Sequence, residues 1–268
     1  MPQNRDYQTA RIKELYLRAE MNGYLTHTAF LSLSEQADLM DSVRLLGQQE
    51  DIRIRESEYL LHGGFQNAER CIACFFPSYM TKESFLCEEE QDKGGVLACI
   101  SVKPANKRFS DDLTHRDYLG AIMNLGLKRE VIGDIICSPE YAAVSVLPEA
   151  AAVIENELTR VRHTTVVCER IPFSACGIAP ELKDIHINIA SERADAILGE
   201  VYRLSRSASQ ELIRRGMVSV NGRELTDTGR LLKKEDRVSV SSKGKFIYEG
   251  AEKRTKKDRI SACVRVYQ

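Results

Sequence analysis

The chain of 268 residues lacks the features that mark secreted and membrane proteins. No apolar run approaches the roughly 20 residues that cross a bilayer. The first residues, MPQNRDYQTARIKELYLR, contain no apolar segment of the kind that a signal peptide needs. The eight cysteines come without a secretion signal, so we expect reduced thiols. We predict a cytoplasmic protein that does not associate with membranes.

The motifs of enzymes and metal sites are incomplete. Cys71-Ile72-Ala73-Cys74 is a CxxC without the second ligand pair of a zinc site. His62-Gly63-Gly64 resembles an esterase oxyanion loop, but no G-x-S-x-G nucleophile turn accompanies it, which favours an ordinary turn. No paired carboxylates and no nucleophile–base set stand out. We predict a non-enzymatic protein with no metal and no cofactor.

His115-Arg116-Asp117 resembles the catalytic triplet of a protein kinase, but Ile122 stands where the kinase loop needs an Asn. Thr114 and Asp117 have capping-box spacing, with Asp in place of the usual Glu or Gln. Gly126 suits the left-handed residue that ends a helix. The triplet is therefore predicted to begin a helix.

Composition indicates a globular protein with unequally distributed charge. Hydrophobic residues make up 43% and charged residues 29% of the chain, and the length allows two or three domains. Residues 181–268 contain 19 Lys and Arg against 13 Asp and Glu, a net charge of +6. The remainder has a net charge of −7. This separation suggests a basic module for a polyanion joined to an acidic body.

We expect an α+β protein of three small domains. In the first, residues 1–80, apolar spacing predicts helices over 5–22 and 34–47, the second capped by Ser34 and ended by Gly47. Alternation predicts a strand over 51–61 and a returning strand over 70–76.

The second domain, residues 84–173, is predicted to be ferredoxin-like. Strands and helices follow in the order β-α-β-β-α-β, at 95–102, 114–126, 133–138, 141–147, 148–161 and 164–171. Pro148 fits the first turn of its helix.

RNA binding by the sheet of the second domain is not favoured by its sequence. The central strands offer only Tyr141 for base stacking. Lys128 and Arg129 could contact phosphate electrostatically, and a solvated turn explains that pair equally well.

The third domain, residues 181–268, begins with a helix, a second helix and a hairpin. In the second helix, Ser207 is the predicted start, because its spacing to Gln210 gives a capping box. Gly216 ends this helix, and Ala208 and Leu212 are predicted to face the core.

The other parts of this region have clear local patterns. The Asn221-Gly222 pair predicts a two-residue hairpin turn, since both positions tolerate positive φ. The first helix has an apolar stripe formed by Ala194, Ile197, Leu198 and Val201.

Arginine is concentrated in the same region, and its planar fork suits bidentate phosphate contact. A solvated helix is the alternative, but few acids interleave, and the basic character continues toward residue 259. The predicted RNA-binding residues are Arg193, Arg203, Arg206, Ser207, Gln210, Arg214, Arg215, Asn221, Lys243, Lys245, Lys256 and Lys257.

Residues 191–222, SERADAILGEVYRLSRSASQELIRRGMVSVNG, resemble the RNA-binding domain named after ribosomal small-subunit protein S-four. Its arm usually reads R-L-D, and here it reads Arg193-Ala194-Asp195. The whole chain resembles the bacterial YlmH family, through GGFQNAER, LTHRDYLGAIMNLGLKREVIGDI, the S-four block and KRTKKDR.

The resemblance implies a monomeric ribosome-associated factor that binds rRNA of the large subunit and peptidyl-tRNA. Its role would be ribosome rescue or quality control, with a link to cell division. By position, Arg193 and Arg206 correspond to the arginines that contact rRNA and tRNA in a small S-four relative.

Two alternatives remain open. S-four domains also occur in RNA-modifying enzymes, but the nearest match to the G-R-L-D loop of a pseudouridine synthase, Gly229-Arg230-Leu231-Leu232, lacks the Asp. A cell-division interaction protein, for which RNA binding is incidental, is compatible with the acidic body.

Overall fold

The computed structural model describes residues 2–49, 52–90, 95–107, 110–178, 182–254 and 259–267. The chain forms two compact units, Met1–Ala179 and Pro180–Gln268. Both units combine helices with sheets, which confirms the α+β class. A division of the first unit at residues 80–84 stays a prediction. None of the described helices has the length and apolar content that a membrane span requires.

The first unit begins with two helices packed on a three-stranded antiparallel sheet of order β1–β3–β2. Apolar side chains of both helices meet Tyr59, Ala73 and Phe75 of the sheet. The helices and the β2–β3 hairpin match the prediction, whereas β1 and α3 were not predicted. The elements are α1 (Pro2–Asn22), β1 (Thr26–His27), α2 (Leu33–Gln49), β2 (Tyr59–His62), β3 (Ile72–Phe75) and α3 (Lys82–Glu90).

The predicted ends of α2 were wrong. Ser32, not Ser34, caps the helix: its backbone N–H donates to Glu35 Oε2 at 2.7 Å, and its Oγ accepts from the Glu35 N–H at 3.4 Å. These reciprocal bonds form a capping box. Gly47 lies inside the last turn, since the helix continues to Gln49.

The predicted strand over 51–61 is only partly present. Residue 51 lies outside the described residues, 52–55 form no regular element, and a 3₁₀ turn covers Glu56–Glu58 before β2. Ile54 is buried in the core, but no neighbouring strand pairs with it in the described chain.

The second half of the first unit has the predicted β-α-β-β-α-β order with one additional strand. The helix predicted over 148–161 ends at Glu157, because Arg160 and Val161 pair with Thr165 and Thr164 as a short strand. Its antiparallel sheet has the order β5–β6–β4–β8–β7, and both helices pack on the same face of it. Pro148 occupies the first turn of α5, as predicted. The elements are β4 (Ala98–Pro104), α4 (His115–Met123), β5 (Ile132–Cys137), β6 (Ala142–Val146), α5 (Pro148–Glu157), β7 (Arg160–Val161) and β8 (Thr164–Ile171).

His115-Arg116-Asp117 forms the first turn of α4, as predicted. Asp117 Oδ2 accepts from the Thr114 backbone N–H at 2.9 Å and from the Thr114 hydroxyl at 2.7 Å. These bonds hold the pKa of Asp117 below its usual range. Gly126 follows the helix with φ +81°. The triplet is therefore a helix start.

The second unit is a six-stranded antiparallel sheet of order β11–β10–β12–β13–β14–β9, and α6 and α7 pack against it. Asn221 and Gly222, with φ of +51° and +75°, form the predicted tight turn between β10 and β11. The elements are β9 (Leu182–Ile189), α6 (Ala194–Tyr202), α7 (Arg206–Arg214), β10 (Val218–Val220), β11 (Arg223–Glu224), β12 (Asp236–Val240), β13 (Gly244–Arg254) and β14 (Ile260–Tyr267).

In the first unit, the half-buried guanidinium of Arg70 joins three chain segments. It donates to the carbonyl oxygens of Ile132 at 3.0 Å, Phe30 at 3.1 Å and Arg129 at 3.2 Å. A planar fork with five donors is suited to satisfying several carbonyls at once. Arg70 therefore links the hairpin of the first sheet to the start of β5.

Asp134, in the middle of β5, completes this network. Its carboxylate accepts the backbone N–H groups of Glu69 at 2.6 Å and Arg70 at 3.2 Å, and burial raises its pKa. Arg129 also donates inward, to the Gly133 carbonyl at 3.2 Å, and burial lowers its pKa to about 10. Of the pair considered for phosphate contact, only Lys128 is exposed.

We expect Arg70→Ala to destabilise this region by about 2 kcal/mol, because it leaves part-buried carbonyls without a donor. Amide exchange of β3 and β5, measured by mass spectrometry, should then become roughly 30-fold faster. Arg44→Ala, which removes an exposed arginine of the same unit, should change the exchange rate of β3 and β5 little. Equal exchange in the two variants would contradict the role assigned to Arg70.

Candidate nucleic-acid interface

A buried carboxylate lies at the centre of the predicted arginine cluster. Asp195, in the first turn of α6, has a side chain that is 0% exposed. Its Oδ1 accepts from Arg193 Nε at 3.0 Å, and its Oδ2 accepts from Arg193 Nη2 at 3.0 Å. Oδ2 also accepts from Gln210 Nε2 at 2.8 Å and from Arg206 Nε at 3.4 Å. One carboxylate thus positions three of the predicted RNA-binding residues.

The charge of Asp195 is stabilised by these donors. The Arg193 hydrogen bonds, with smaller contributions from Gln210 and Arg206, outweigh burial and lower the pKa of Asp195 to about 2. In return, Asp195 raises the pKa of Arg193. Because two guanidinium groups share one carboxylate, the cluster keeps a net positive charge.

A distant loop of the same unit orients Arg193. The Ala194 N–H donates to the Arg230 carbonyl at 2.9 Å, and the Leu232 N–H donates to the Glu192 carbonyl at 2.9 Å. Gly229 lies close to the Arg193 guanidinium, and a Cβ there would come within 3.3 Å of Nη1. The segment that resembled a synthase loop therefore supports the arginine arm.

The predicted start of α7 was wrong by two residues. Ser205 is the N-cap, and its Oγ accepts from the Ala208 N–H at 3.2 Å. Ser207 lies inside the first turn and is exposed. Gln210, which was expected to close a capping box with Ser207, donates to Asp195 instead.

The core-facing side of α7 was predicted only in part, since Leu212 packs against the core but the fully buried apolar residue is Ile213, one position further on. Ser209 and Ile213 are buried, whereas Ala208 and Leu212 are only half-buried. The Ser209 hydroxyl forms its hydrogen bond within the helix, donating to the Ser205 carbonyl at 3.2 Å. Because one of the buried positions is a serine, the spacing of apolar residues alone does not show which face of α7 meets the core.

A groove of about 500 Å³ lies beside Asp195 and is lined by four arginines: Arg193, Arg203, Arg206 and Arg259. Arg203 ends α6 in the left-handed region with φ +54°, a position usually occupied by Gly or Asn. Arg259 was missed as a site residue. Its guanidinium donates to Glu200 Oε1 at 2.9 Å and also to the Asn188 carbonyl.

Other predicted site residues lie at the opposite end of α7. Arg214 and Arg215 are exposed there, about 13 Å along the axis from the start of a nine-residue helix. The turn that carries Lys243 lies nearby, since the Ser241 N–H donates to the Met217 carbonyl at 2.9 Å. Lys245 follows on β13 and is also exposed.

The remaining predicted residues differ in their placement. The Asn221 amide donates to Asp236 Oδ1 at 2.8 Å and accepts from the Arg237 N–H at 2.9 Å. These bonds hold the hairpin turn in place. Lys256 and Lys257 lie outside the described residues.

Among the described residues, one group of three side chains could share a metal ion. The potential ligand atoms of His186, Glu252 and Cys263 lie within 4.8 Å of one another on adjacent strands of the second sheet. His186 Nδ1 is 3.2 Å from Glu252 Oε2, so this pair is satisfied by a direct hydrogen bond. The expected absence of a metal stays a prediction.

Comparison with known families agrees with this architecture. Residues 97–175 match the model described as "Putative RNA-binding domain in YlmH", and residues 193–238 match the S4 domain. The fold and the arginine cluster therefore define an RNA-binding protein with a C-terminal S4 domain.

One relative is the "Ribosome-associated protein quality control protein P2" of Bacillus subtilis (strain 168). It is 33% identical over 198 residues, which span 74% of this chain and 73% of the relative. The chain belongs to the YlmH family. The solved "Cell division protein ylmH" from Streptococcus pneumoniae aligns with a TM-score of 0.43 at 18% identity, over 64% of this chain and 89% of that chain.

We expect Asp195→Asn to destabilise the second unit by about 2 kcal/mol at neutral pH, because the ionised carboxylate is stabilised in the fold. Since the pKa is lowered from 3.8 to about 2, this contribution is complete above about pH 4 and is lost between about pH 4 and 2. Urea unfolding with exchange detection of residues 182–254 measures it.

Glu200→Gln is the matched control, because its part-exposed carboxylate lines the same groove. It should cost well under 1 kcal/mol. A variant Asp195→Asn with normal stability and the wild-type acid profile would show that the charge of Asp195 does not stabilise the unit.

The corrected helix cap gives a second test. Ser205→Ala should destabilise α7 by about 1 kcal/mol, because it removes the acceptor of the Ala208 N–H. Ser207→Ala, two residues further on, should have less than half of this effect. Amide exchange over residues 206–214 distinguishes the two, and a larger effect at Ser207 would contradict the assigned cap.

Proposed function

We propose that this protein is a non-enzymatic factor that binds large-subunit rRNA through the arginine cluster around Asp195 and acts in ribosome quality control. Peptidyl-tRNA on the large subunit is the second ligand of this proposal. The protein acts as a monomer.

The observation that carries the proposal is the way Arg206 is held. Its side chain is 70% exposed, yet its Nε is directed at the buried Asp195 carboxylate. The two terminal nitrogens of the guanidinium are therefore presented outward in a restrained orientation. Restraining a long side chain before binding lowers the entropy cost of a phosphate contact, and the guanidinium fork matches phosphate oxygens.

The surroundings of Arg206 favour an anion. It is the first residue of α7, where the positive end of the helix dipole attracts negative charge. Arg193 shares the same carboxylate, and Arg203 lines the same groove. A phosphate backbone that crosses this groove would meet several cations in succession, which suits recognition of structured RNA by shape and charge.

Two comparisons support a ribosomal ligand. The Bacillus subtilis relative has ribosome association and protein quality control in its name. The matched S4 segment contains the arginines of the arm and of α7. Both matched family models describe binding domains, in agreement with a role that does not require catalysis.

Cosedimentation with ribosomes tests the proposal. The wild-type chain should sediment with free large subunits, and sequencing should recover large-subunit rRNA together with tRNA from that fraction. Arg193→Ala combined with Arg206→Ala should abolish this association, because about two phosphate contacts are lost, each worth a slope of about 0.7 to 0.9 in log affinity against log salt.

Arg44→Ala combined with Arg55→Ala is the control, since it removes two exposed arginines from the first unit. This variant should cosediment like the wild type. Normal cosedimentation of the Arg193 and Arg206 variant would exclude the proposed RNA face. Absence of the wild type from every ribosomal fraction would exclude the ribosomal role and favour a protein-interaction role in division.

A further inference from the structure

The ferredoxin-like half of the first unit cannot bind RNA through the open sheet face that RRM domains use. On β4 and β6, the side chains opposite the helices are Cys99, Ser101, Ala143 and Ser145, which are 1%, 0%, 0% and 0% exposed. A base has no surface to stack on there. This face is closed in the folded chain.

Neighbouring segments of the same unit cover the sheet. Phe65 and Phe173, whose rings meet edge to face at 5.3 Å, pack over Cys99 and Ala143. The Tyr141 hydroxyl donates to the Cys176 carbonyl at 3.0 Å. Tyr141, the aromatic residue that could have stacked a base, is therefore engaged in a contact within the unit. Contact with RNA in this half must come from another surface.

The helical side of this half offers a groove lined by arginines. It has a volume of about 540 Å³ and lies between α4 and the segment 157–162. Arg116, Arg160 and Arg162 line it, and all three are exposed. Gly120 forms part of the wall on α4, and space for a Cβ there is open. The backbone of a bound polymer can therefore approach α4 closely at Gly120.

The charges in this groove leave arginine in excess. Asp117 is held by the Thr114 cap, and its Oδ1 is 3.6 Å from Arg162 Nη1. Glu157 is the second acid of the lining. Arg116 and Arg160 form no ion pair within the described part of the chain.

Arg162 is also held in an uncommon backbone conformation. Its φ is +53° in the turn between β7 and β8, which costs a residue with a Cβ about 1 kcal/mol relative to Gly or Asn. Such positions are enriched where a side chain has a function. This turn therefore contains an arginine at a backbone conformation that Asn or Gly would adopt with less strain.

We propose that the groove formed by Arg116, Arg160 and Arg162 binds the phosphate backbone of RNA and is the RNA-contacting surface of the segment 97–175. This inference rests on the RNA binding proposed above and adds a contact region separate from the S4 cluster. The triplet His115-Arg116-Asp117 then begins a helix that presents Arg116 to a phosphate.

The test uses the full-length chain and a fluorescently labelled RNA hairpin, with binding followed by anisotropy over a series of KCl concentrations. Arg116→Ala combined with Arg160→Ala should weaken binding roughly tenfold and reduce the salt slope by about 0.7 to 0.9 for each lost phosphate contact. The Arg44→Ala and Arg55→Ala variant is the control and should bind like the wild type.

Replacement of Arg116 and Arg160 by Lys should retain the salt slope of RNA binding, since the positive charges are kept. If the two arginines had a purely structural role, their replacement by Ala would leave the salt slope unchanged. Amide exchange of α4 and α5 verifies that the groove variants are folded, and exchange of α6 and α7 verifies the same for the Arg193 and Arg206 variant. If the groove variant binds like the wild type while the Arg193 and Arg206 variant is weakened, the groove is not an RNA site and the proposed function stands. If neither variant is weakened, both proposals are wrong.

Discussion

The Asp195 carboxylate, enclosed in the second unit, accepts hydrogen bonds from Arg193, Arg206 and Gln210. An isolated buried carboxylate would cost several kcal/mol, so the fold requires these donors whether or not RNA is present. The arrangement makes the same arginines serve the folded state and the candidate interface. It restrains their position before any ligand arrives, and it leaves the exposed side of Arg206 available to a phosphate.

The first unit uses buried polar groups differently. Arg70 and Asp134 satisfy backbone groups of several segments, and aromatic residues close the sheet over Cys99 and Ala143. A ferredoxin-like topology is therefore compatible with RNA binding, but its usual surface is occupied. The function of a protein with a common fold depends on which of its surfaces are accessible to a ligand. In this half of the first unit, the accessible surface is the arginine-lined helical side.

Sequence patterns predicted the elements well where local chemistry decides them. Helices with apolar periodicity, the Asn221-Gly222 turn and the Thr114 cap depend on residues within one turn of one another. Two of the errors, at Ser34 and Ser207, arose where serines two residues apart compete as caps. Only the three-dimensional path shows which hydroxyl reaches a free N–H group, and Ser32 also has Glu35 at capping-box distance.

The sequence by itself determined the α+β class, the arginine-rich S4 segment and, apart from β7, the order of elements over residues 95–171, because periodicity and short motifs carry that information. Tertiary structure decided what those residues do. It buried Asp195 beneath two arginines, brought Arg259 from the far end of the domain to the same groove, and closed the sheet face while leaving Arg116 and Arg160 exposed. Apart from the bond between Arg193 and Asp195, these contacts join residues distant in the chain, and their spacing leaves no periodic trace in the sequence.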